Sequence, residues 1–469
     1  MATEYRVQEQ VQRDASSKLK VIVVGAGLGG LGAAIAVLLA GHDVTVLEST
    51  SQIGEIGAGI QVLPNSARVL FAWGLQDRLD PFATRPQTCN FFGWKGNRLA
   101  SMDYHAYGKA SHGVFWDFHR ANLHRVLLDR AVELGAVVQT SARAVNVTVL
   151  ESDGQSSATV HLANGRTVSG DLVVGADGIN SQLREVLVGH EDPPTPTGDL
   201  AYRLLLDTAA MMDDPELREM VQNPQVNYWV GPETHAVNYV LRGGKQLNMV
   251  LLVPDNLPPG QLASTGTGTA QEMRDLYAGW DPRIEKLLGL CAEAEVLKWR
   301  LCIRPGLEPT WSHPAASFTL TGDAVHATLP YLASGAGMAL EDAGVLGLCL
   351  ARLTDKSAAS KRHALAVYEA CRRARTEKVV QRGTYNQHMY HMPDGPDQVA
   401  RDAKMAHYDE VDRQWLAQEK PVLPVSDETG DDPFPWRYHG VARWLLTYDM
   451  WKDVEDHWDA VPKDIKANI

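Results

Sequence analysis

Runs of apolar residues and their spacing divide the chain into elements. Val21-Ile22-Val23-Val24 is an unbroken β-branched run, the pattern of a strand buried on both faces of a parallel sheet, and an Ala/Leu-rich helix follows over 31–39. Residues 44–47 repeat the strand pattern. Phe118-His119-Arg120 opens a helix on which Leu123, Leu127, Leu128 and Ala131 share an apolar face, and Val137-Val138 reads as the next strand. Alternation over 158–162 and 167–168, about an Asn164-Gly165 turn, predicts an antiparallel meander. Leu172-Val173-Val174 and Phe318-Thr319-Leu320 return to the buried-strand pattern, and helical spacing runs from Gly337 into residue 390.

From about 193 to 298 the pattern changes. Residues 202–206, 226–230, 237–241 and 247–253 are strand-like and half-buried, separated by Gly231-Pro232 and Gly243-Gly244, which predicts an antiparallel sheet in a second domain. Residues 84–109 read as an aromatic-rich, irregular insertion away from the sheet, 1–18 as a frayed polar extension, and 393–435 as a wandering surface segment. Trp444, Trp451 and Trp458, seven apart, would share one face of a helix packed on the body or on a dimer partner. Arg372-Arg373-Ala374-Arg375 reads as a solvated helix face.

The turn after the first strand carries the first chemistry. Gly25-Ala26-Gly27-Leu28-Gly29-Gly30 follows the strand and opens the helix. Gly25 suits a tight turn, Gly27 lets backbone approach a pyrophosphate, and Gly30 lets helix and strand close up. The phosphates would then rest on free N–H groups at the helix N-terminus. Glu48 ends the second strand, about 20 residues on, where an acid takes ribose hydroxyls, as in FAD or NAD. The uncharged stretch 21–41 also has the hydropathy of a membrane span, but its six glycines suit a nucleotide turn, so no integral membrane segment is expected.

Composition narrows the field. With 469 residues the chain exceeds one small core, and 45% hydrophobic with 22% charged residues is ordinary globular usage. The net charge of −13 argues against nucleic acid as a partner. Five scattered cysteines with no CxxC pair fit buried thiols in a reducing compartment, so a cytoplasmic protein without a metal site is expected.

Two further motifs, Asp177-Gly178 with Ser181 and Arg184, and Gly322-Asp323-Ala324-Val325-His326, complete a set. With all three the chain resembles the single-component FAD-dependent aromatic hydroxylases of the para-hydroxybenzoate hydroxylase superfamily, and within them the salicylate-hydroxylase-like fungal monooxygenases, from about residue 19 to 390. The resemblance implies an α/β fold: a Rossmann-like (GR2-type) FAD-binding domain over 19–85, 113–192 and 300–355, an antiparallel-sheet substrate domain over 86–112 and 193–299, and a C-terminal helical region and tail over 356–469. It implies FAD, transient NADH or NADPH, and O2, with the oxygen delivered from a C4a-hydroperoxyflavin to a small aromatic substrate, with loss of CO2 if a hydroxybenzoate is attacked at its carboxyl-bearing carbon. A monomer or homodimer is expected. Epoxidation, dearomatisation or rearrangement on an indole or prenylated scaffold is the alternative chemistry, and a non-catalytic FAD-binding protein the alternative class.

The same resemblance implies residue roles. Glu48 would hold the adenosine ribose, Gly25, Gly27, Gly30 and Gly59 would belong to the FAD site, and Arg120 would sit by the pyrophosphate or ribose. Asp177 and Gly178 would line the face shared by FAD and the incoming nicotinamide, and Asp323 would bond the ribityl chain. Gly335-Ala336-Gly337-Met338 would open a helix toward the pyrimidine end of the flavin, with Ala336, Gly337 and Met338 contributing backbone only. Arg203 lies on an otherwise apolar strand and would either form a structural ion pair or hold a phenolate. His235 and Tyr239 form an H-x-x-x-Y pattern resembling the His/Tyr pair of hydroxynicotinate- and salicylate-type members. His235 equally suits an exposed loop after Gly231-Pro232, and Tyr239 a core position. His326 would shape the flavin pocket, with Tyr228 and Trp229 as pocket walls.

Overall fold

A computed structural model describes residues 7–54, 59–258, 265–292, 295–418, 422–423 and 429–462. The buried runs build an all-parallel sheet in the order Phe318–Leu320, Leu172–Gly175, Lys20–Val24, Asp43–Leu47, Val137–Gln139. Helix α1 (Leu28–Leu39) lies between this sheet and α3 (Gly335–Ala351), which explains its apolar surface all round. Helix α2 (Arg120–Glu133) packs beside α1. The stretch with membrane-like hydropathy is thus a strand and a helix of a Rossmann-like domain, and no helix among the described residues is long and apolar enough to cross a membrane. The meander forms as read, with His161 opposite Thr167.

The second sheet has eight strands in the order Thr265–Thr269, Glu295–Ile303, Thr195–Asp207, Gln246–Pro254, His235–Leu241, Gln225–Val230, Thr88–Gly93, Arg98–Asp103. Segment 84–109 is therefore not an irregular insertion. It supplies the last two strands at one side of the sheet, Thr88–Gly93 pairing in parallel with Gln225–Val230 and Arg98–Asp103 forming the edge, and its Phe91 stacks on Tyr228 at 4.8 Å. Side chains alternate across this sheet. Tyr202, Leu204, Trp229, Ala236, Val240, Met249 and Leu251 pack with Met273, Ile284 and Leu287 in one core, while Ala201, Arg203, Tyr228, His235, Val237, Tyr239, Val250 and Leu252 turn the other way. Trp229 is thus no pocket wall; its indole N–H donates to Asp281 Oδ2 at 2.7 Å.

Three polar segments differ from expectation because polar contacts, not apolar periodicity, hold them. Residues 7–18 are anchored: Arg13 donates to Ala40 O (2.6 Å), Leu350 O (2.9 Å) and Ala351 O (2.6 Å), satisfying last-turn carbonyls of α1 and α3. Arg13→Ala is expected to cost about 1–2 kcal/mol, read as a lower urea midpoint. Within 393–435 lies α5 (Pro396–Leu416), fixed by Arg401 to Met389 O (2.6 Å) and by Asp409 to Arg437 (3.1 Å). Arg372 and Arg375 sit on α4 (Ala358–Tyr390), and Arg372 is fully buried rather than solvated, bonding Asp342 and Glu341 at 2.8 Å each. The tryptophans do not share one helix. Trp444 lies on a single turn, Ala442–Leu445, and Asp449 caps a new helix, α6 (Met450–Trp458), through Trp451 N and Lys452 N. Trp458 meets His363 edge-on at 4.7 Å, while Trp451 is exposed.

Candidate active site

A cavity of about 350 Å³ opens between the glycine turn and the inward face of the eight-stranded sheet. Its walls bring together Gly27, Gly59, Arg120, Gly178, Arg203, His235, Tyr239, Asp323 and Ala336, residues scattered over more than 300 positions.

The turn is built for a ligand. Gly25 has φ +103°, and a Cβ there would stand 2.3 Å from Ala176 O; one on Gly30 would stand 1.9 Å from Gly25 O. Those glycines serve packing. Gly27 differs: its φ is −70° and a Cβ would meet nothing within 4 Å, so the space beside it is open. Neither α1 nor α3 has a side-chain N-cap or an acid in its first turn, and both N-termini face the cavity, leaving N–H groups for an anion. Glu48 stands at the strand end, its Oε2 accepting from Ala26 N (2.9 Å) and Oε1 from Thr50 N (2.8 Å). Burial would raise its pKa, but these N–H donors outweigh that and hold it below the usual carboxylate value. An open glycine cradle, two uncapped helix ends and an ionised acid fit a dinucleotide such as FAD.

The other two motifs lock together behind this cradle. Arg184 donates to Val325 O (2.8 Å) and Gly306 O (2.6 Å) and pairs with Asp192 (2.6 Å). Asp177 does not turn to the cavity. Its carboxylate accepts from Ser181 Oγ (2.5 Å) and Leu183 N (3.1 Å), and it is Gly178 that lines the space. Gly25, Gly30 and Glu48 likewise stand behind the lining. Along α3, Gly335 and Ala336 line the cavity, Gly337 packs near Ser66, and Met338 is buried with its N–H spent on Ser334 O at 2.8 Å, so Met338 offers a flavin nothing. Gly59 lies against Tyr239 and donates to Asn248 Oδ1 at 2.8 Å; its neighbours Gly57 and Ala58 fall outside the described residues. His326 is buried and bonds Asp342 Oδ2 at 2.6 Å, beneath the Asp323 turn.

The sheet side carries the polar chemistry. Arg203 has no carboxylate partner among the described residues; its guanidinium lies 4.8 Å over the Trp299 ring, which is no structural ion pair. Burial and then the Arg120 charge lower its pKa, against a raising influence from Tyr239. Tyr239 is buried, which pushes its phenol upward and keeps it neutral. His235 is no exposed loop residue: it is 1% exposed, begins its strand, and sits 2.7 Å from His391. His391, Asp199 and Tyr331, missed in the sequence, join it; nothing local marks them, because 156 residues separate the two histidines. Cys371, Asp453 and His457 have metal-ligand composition but belong to α4 and α6, with the Cys371 thiol and His457 Nδ1 both turned to Asp453 O.

Residues 18–258 and 317–383 match the family model described as FAD binding domain. The chain is 40% identical over 405 residues to the FAD-dependent monooxygenase OpS4 of Beauveria bassiana, covering 85% of this chain and 92% of that one. It is 32% identical to the 3-hydroxybenzoate 6-hydroxylase of Polaromonas naphthalenivorans, with 81% and 90% covered. A salicylate hydroxylase substrate complex superposes with a TM-score of 0.74 at 21% identity, over 96% of this chain and 99% of that one.

Proposed function

The chain belongs to the FAD binding domain family as an FAD-dependent monooxygenase of the aromatic hydroxylase type, and from that premise we propose that it uses NADH or NADPH and O2 to hydroxylate a phenolic or hydroxybenzoate-like substrate. The supporting observation is Arg203, a cation without a carboxylate partner among the described residues, on the cavity face of an apolar strand. Arg120 lines the same cavity and the two guanidinium charges raise each other's energy. An anionic oxygen beside Arg203 relieves that cost, so the site favours a phenolate or carboxylate over a neutral ring. On this reading residues 19–85, 113–192 and 300–355 serve the cofactor, and 86–112 with 193–299 the substrate.

Bound FAD supplies the redox chemistry that activates O2. The rest falls to this chain. Arg203 holds the substrate anion and, where that is a phenolate, favours this electron-rich form over the neutral phenol, and the Tyr239 hydroxyl donates to a ring substituent. Val237, Val250 and Leu252 exclude water from the reacting face. Gly335 and Ala336 at the N-terminus of α3 would face bound FAD and favour negative charge there.

Purified protein is expected to be yellow, and a panel of phenols and hydroxybenzoates screened for accelerated NAD(P)H oxidation should reveal one whose product gains a single oxygen. Arg203→Ala is expected to lower kcat/KM for it about 10- to 100-fold, roughly 1.4–2.7 kcal/mol, through loss of one charged contact. A panel in which no compound accelerates NAD(P)H oxidation overturns the reading, and a product lacking the added hydroxyl redirects it to another oxygenation.

A further inference from the structure

We propose that Asp199 and His391 are positioning residues that set the tautomer of His235, so that the cavity presents a bare ring nitrogen and selects substrates offering it a phenolic O–H or ring N–H. This rests on the substrate site argued above.

His235 is firmly held. Tyr277 donates to its backbone O at 2.8 Å, and its ring stands edge-on to Tyr331 (4.7 Å, 80°) and Tyr390 (5.3 Å, 76°). The ring cannot turn freely. Nδ1 faces His391 Nε2 at 2.7 Å, and Nε2 has no protein partner among the described residues while His235 lines the cavity.

Two neutral imidazoles in contact share one proton, and what lies behind decides which nitrogen carries it. His391 Nδ1 faces Asp199 Oδ2 at 3.5 Å, an oxygen that also receives the Tyr331 hydroxyl. The contact is long for a hydrogen bond, yet a carboxylate oxygen there favours an N–H over a lone pair on the atom facing it. His391 then carries its proton on Nδ1 and its Nε2 is bare. Nδ1 of His235 must donate, and the lone pair of His235 falls on Nε2, toward the cavity.

The ionisation states agree. Burial, then the His391 charge, holds His235 far below the usual histidine value, and burial lowers His391 to about 4, so both rings are neutral near pH 7. Burial raises Asp199 to about 6, against the Tyr331 and Gln387 hydrogen bonds and with Asp255 adding to the rise, which leaves it ionised at pH 7.5.

The test uses holoenzyme labelled with ¹⁵N at histidine, the His235 signals being those lost in His235→Gln. At pH 7.5 the expected pattern is a protonated Nδ1 and an unprotonated Nε2. In Asp199→Asn, whose amide N–H₂ can face His391 Nδ1, the two should exchange. In parallel, 3-hydroxybenzoate and 3-methoxybenzoate, each with a carboxylate for Arg203, are titrated and followed by flavin absorbance; the parent should prefer the phenol at least about tenfold, and Asp199→Asn should lose that preference. Should Asp199→Asn not fold, His391→Gln, whose carbonyl can still accept from Nδ1, is expected to keep the preference, and His391→Phe to lose it. A protonated Nε2 in the parent, or a phenol preference untouched in both Asp199→Asn and His391→Phe, overturns the inference. Failure of the function reading looks different: the tautomer is found as expected, yet no phenol accelerates NAD(P)H oxidation.

Discussion

Gly30→Ala is expected to yield protein that is largely insoluble, and colourless where soluble, whereas Gly27→Val should fold normally and fail only to hold FAD. The contrast comes from what each new side chain meets. A Cβ on Gly30 would sit 1.9 Å from the Gly25 carbonyl oxygen, a backbone atom held by Gly25 N to Leu47 O (2.8 Å) and by the strand behind it. Neither group can move without parting helix α1 from the sheet, so the cost exceeds about 3 kcal/mol. Gly27 has an ordinary backbone conformation and open space before it. A valine there strains nothing in the apoprotein but occupies the place of a phosphate, and FAD affinity should fall about 100-fold, ~2.8 kcal/mol. Thermal melting of apoprotein together with FAD titration by fluorescence quenching separates the two outcomes. Equal FAD affinity in Gly27→Val and the parent would remove the cradle from the cofactor site.

Arg372→Met should destabilise the protein by about 3–5 kcal/mol, because it strands buried carboxylates rather than removing a surface charge. Arg372 reaches Glu341 and Asp342, all three fully buried, while Asp342 also accepts from Gly322 N (3.0 Å) and His326 (2.6 Å). The Asp342 carboxylate thus ties α3, whose N-terminus faces the cavity, to the turn that carries Asp323, and the Arg372 guanidinium fixes that carboxylate from α4. Burial alone would raise Asp342, but the His326 and Arg372 charges outweigh it and hold it at about 2; Glu341 is lowered too, by Arg375 and Arg372 against burial. A folded-state value below the unfolded one, near 3.9, means the contribution is whole above about pH 4 and drains away as pH falls toward 2. Melting temperature followed from pH 6 to pH 3 should fall more steeply in the parent than in Asp342→Asn. Arg372→Met melting with the parent would show the network to be dispensable.

How far sequence alone could reach depends on where each constraint lies. The glycine turn, the meander and the buried strands were legible because a few neighbouring residues dictate them: Gly25 needs its positive φ and Gly30 its missing side chain within six positions of each other. The convergence of three motifs on one cavity followed from the family resemblance. What stayed hidden depends on distant partners. Arg372 looks solvated until Glu341 and Asp342 are placed beside it, and α5 has too few apolar positions to announce itself, since Arg401, Asp409 and Asp412 do its packing. The exposed-loop reading of His235 fails for the same reason, its burial being created by Tyr331, Tyr390 and His391 from other elements. The turn Gly231-Pro232 was read correctly, but a turn says nothing of what covers the strand it starts.

Residues 434–445 give the cavity its backing. Trp436 lies 5.6 Å from Tyr228, a cavity wall, and Arg375, bonded to Glu341 on α3, also holds Trp444 O (2.7 Å) and Leu445 O (2.9 Å). During synthesis the glycine turn is made within the first thirty residues, while this backing waits for about four hundred more. A growing chain can therefore fold its glycine turn and first sheet long before Trp436 and Trp444 exist to back the cavity.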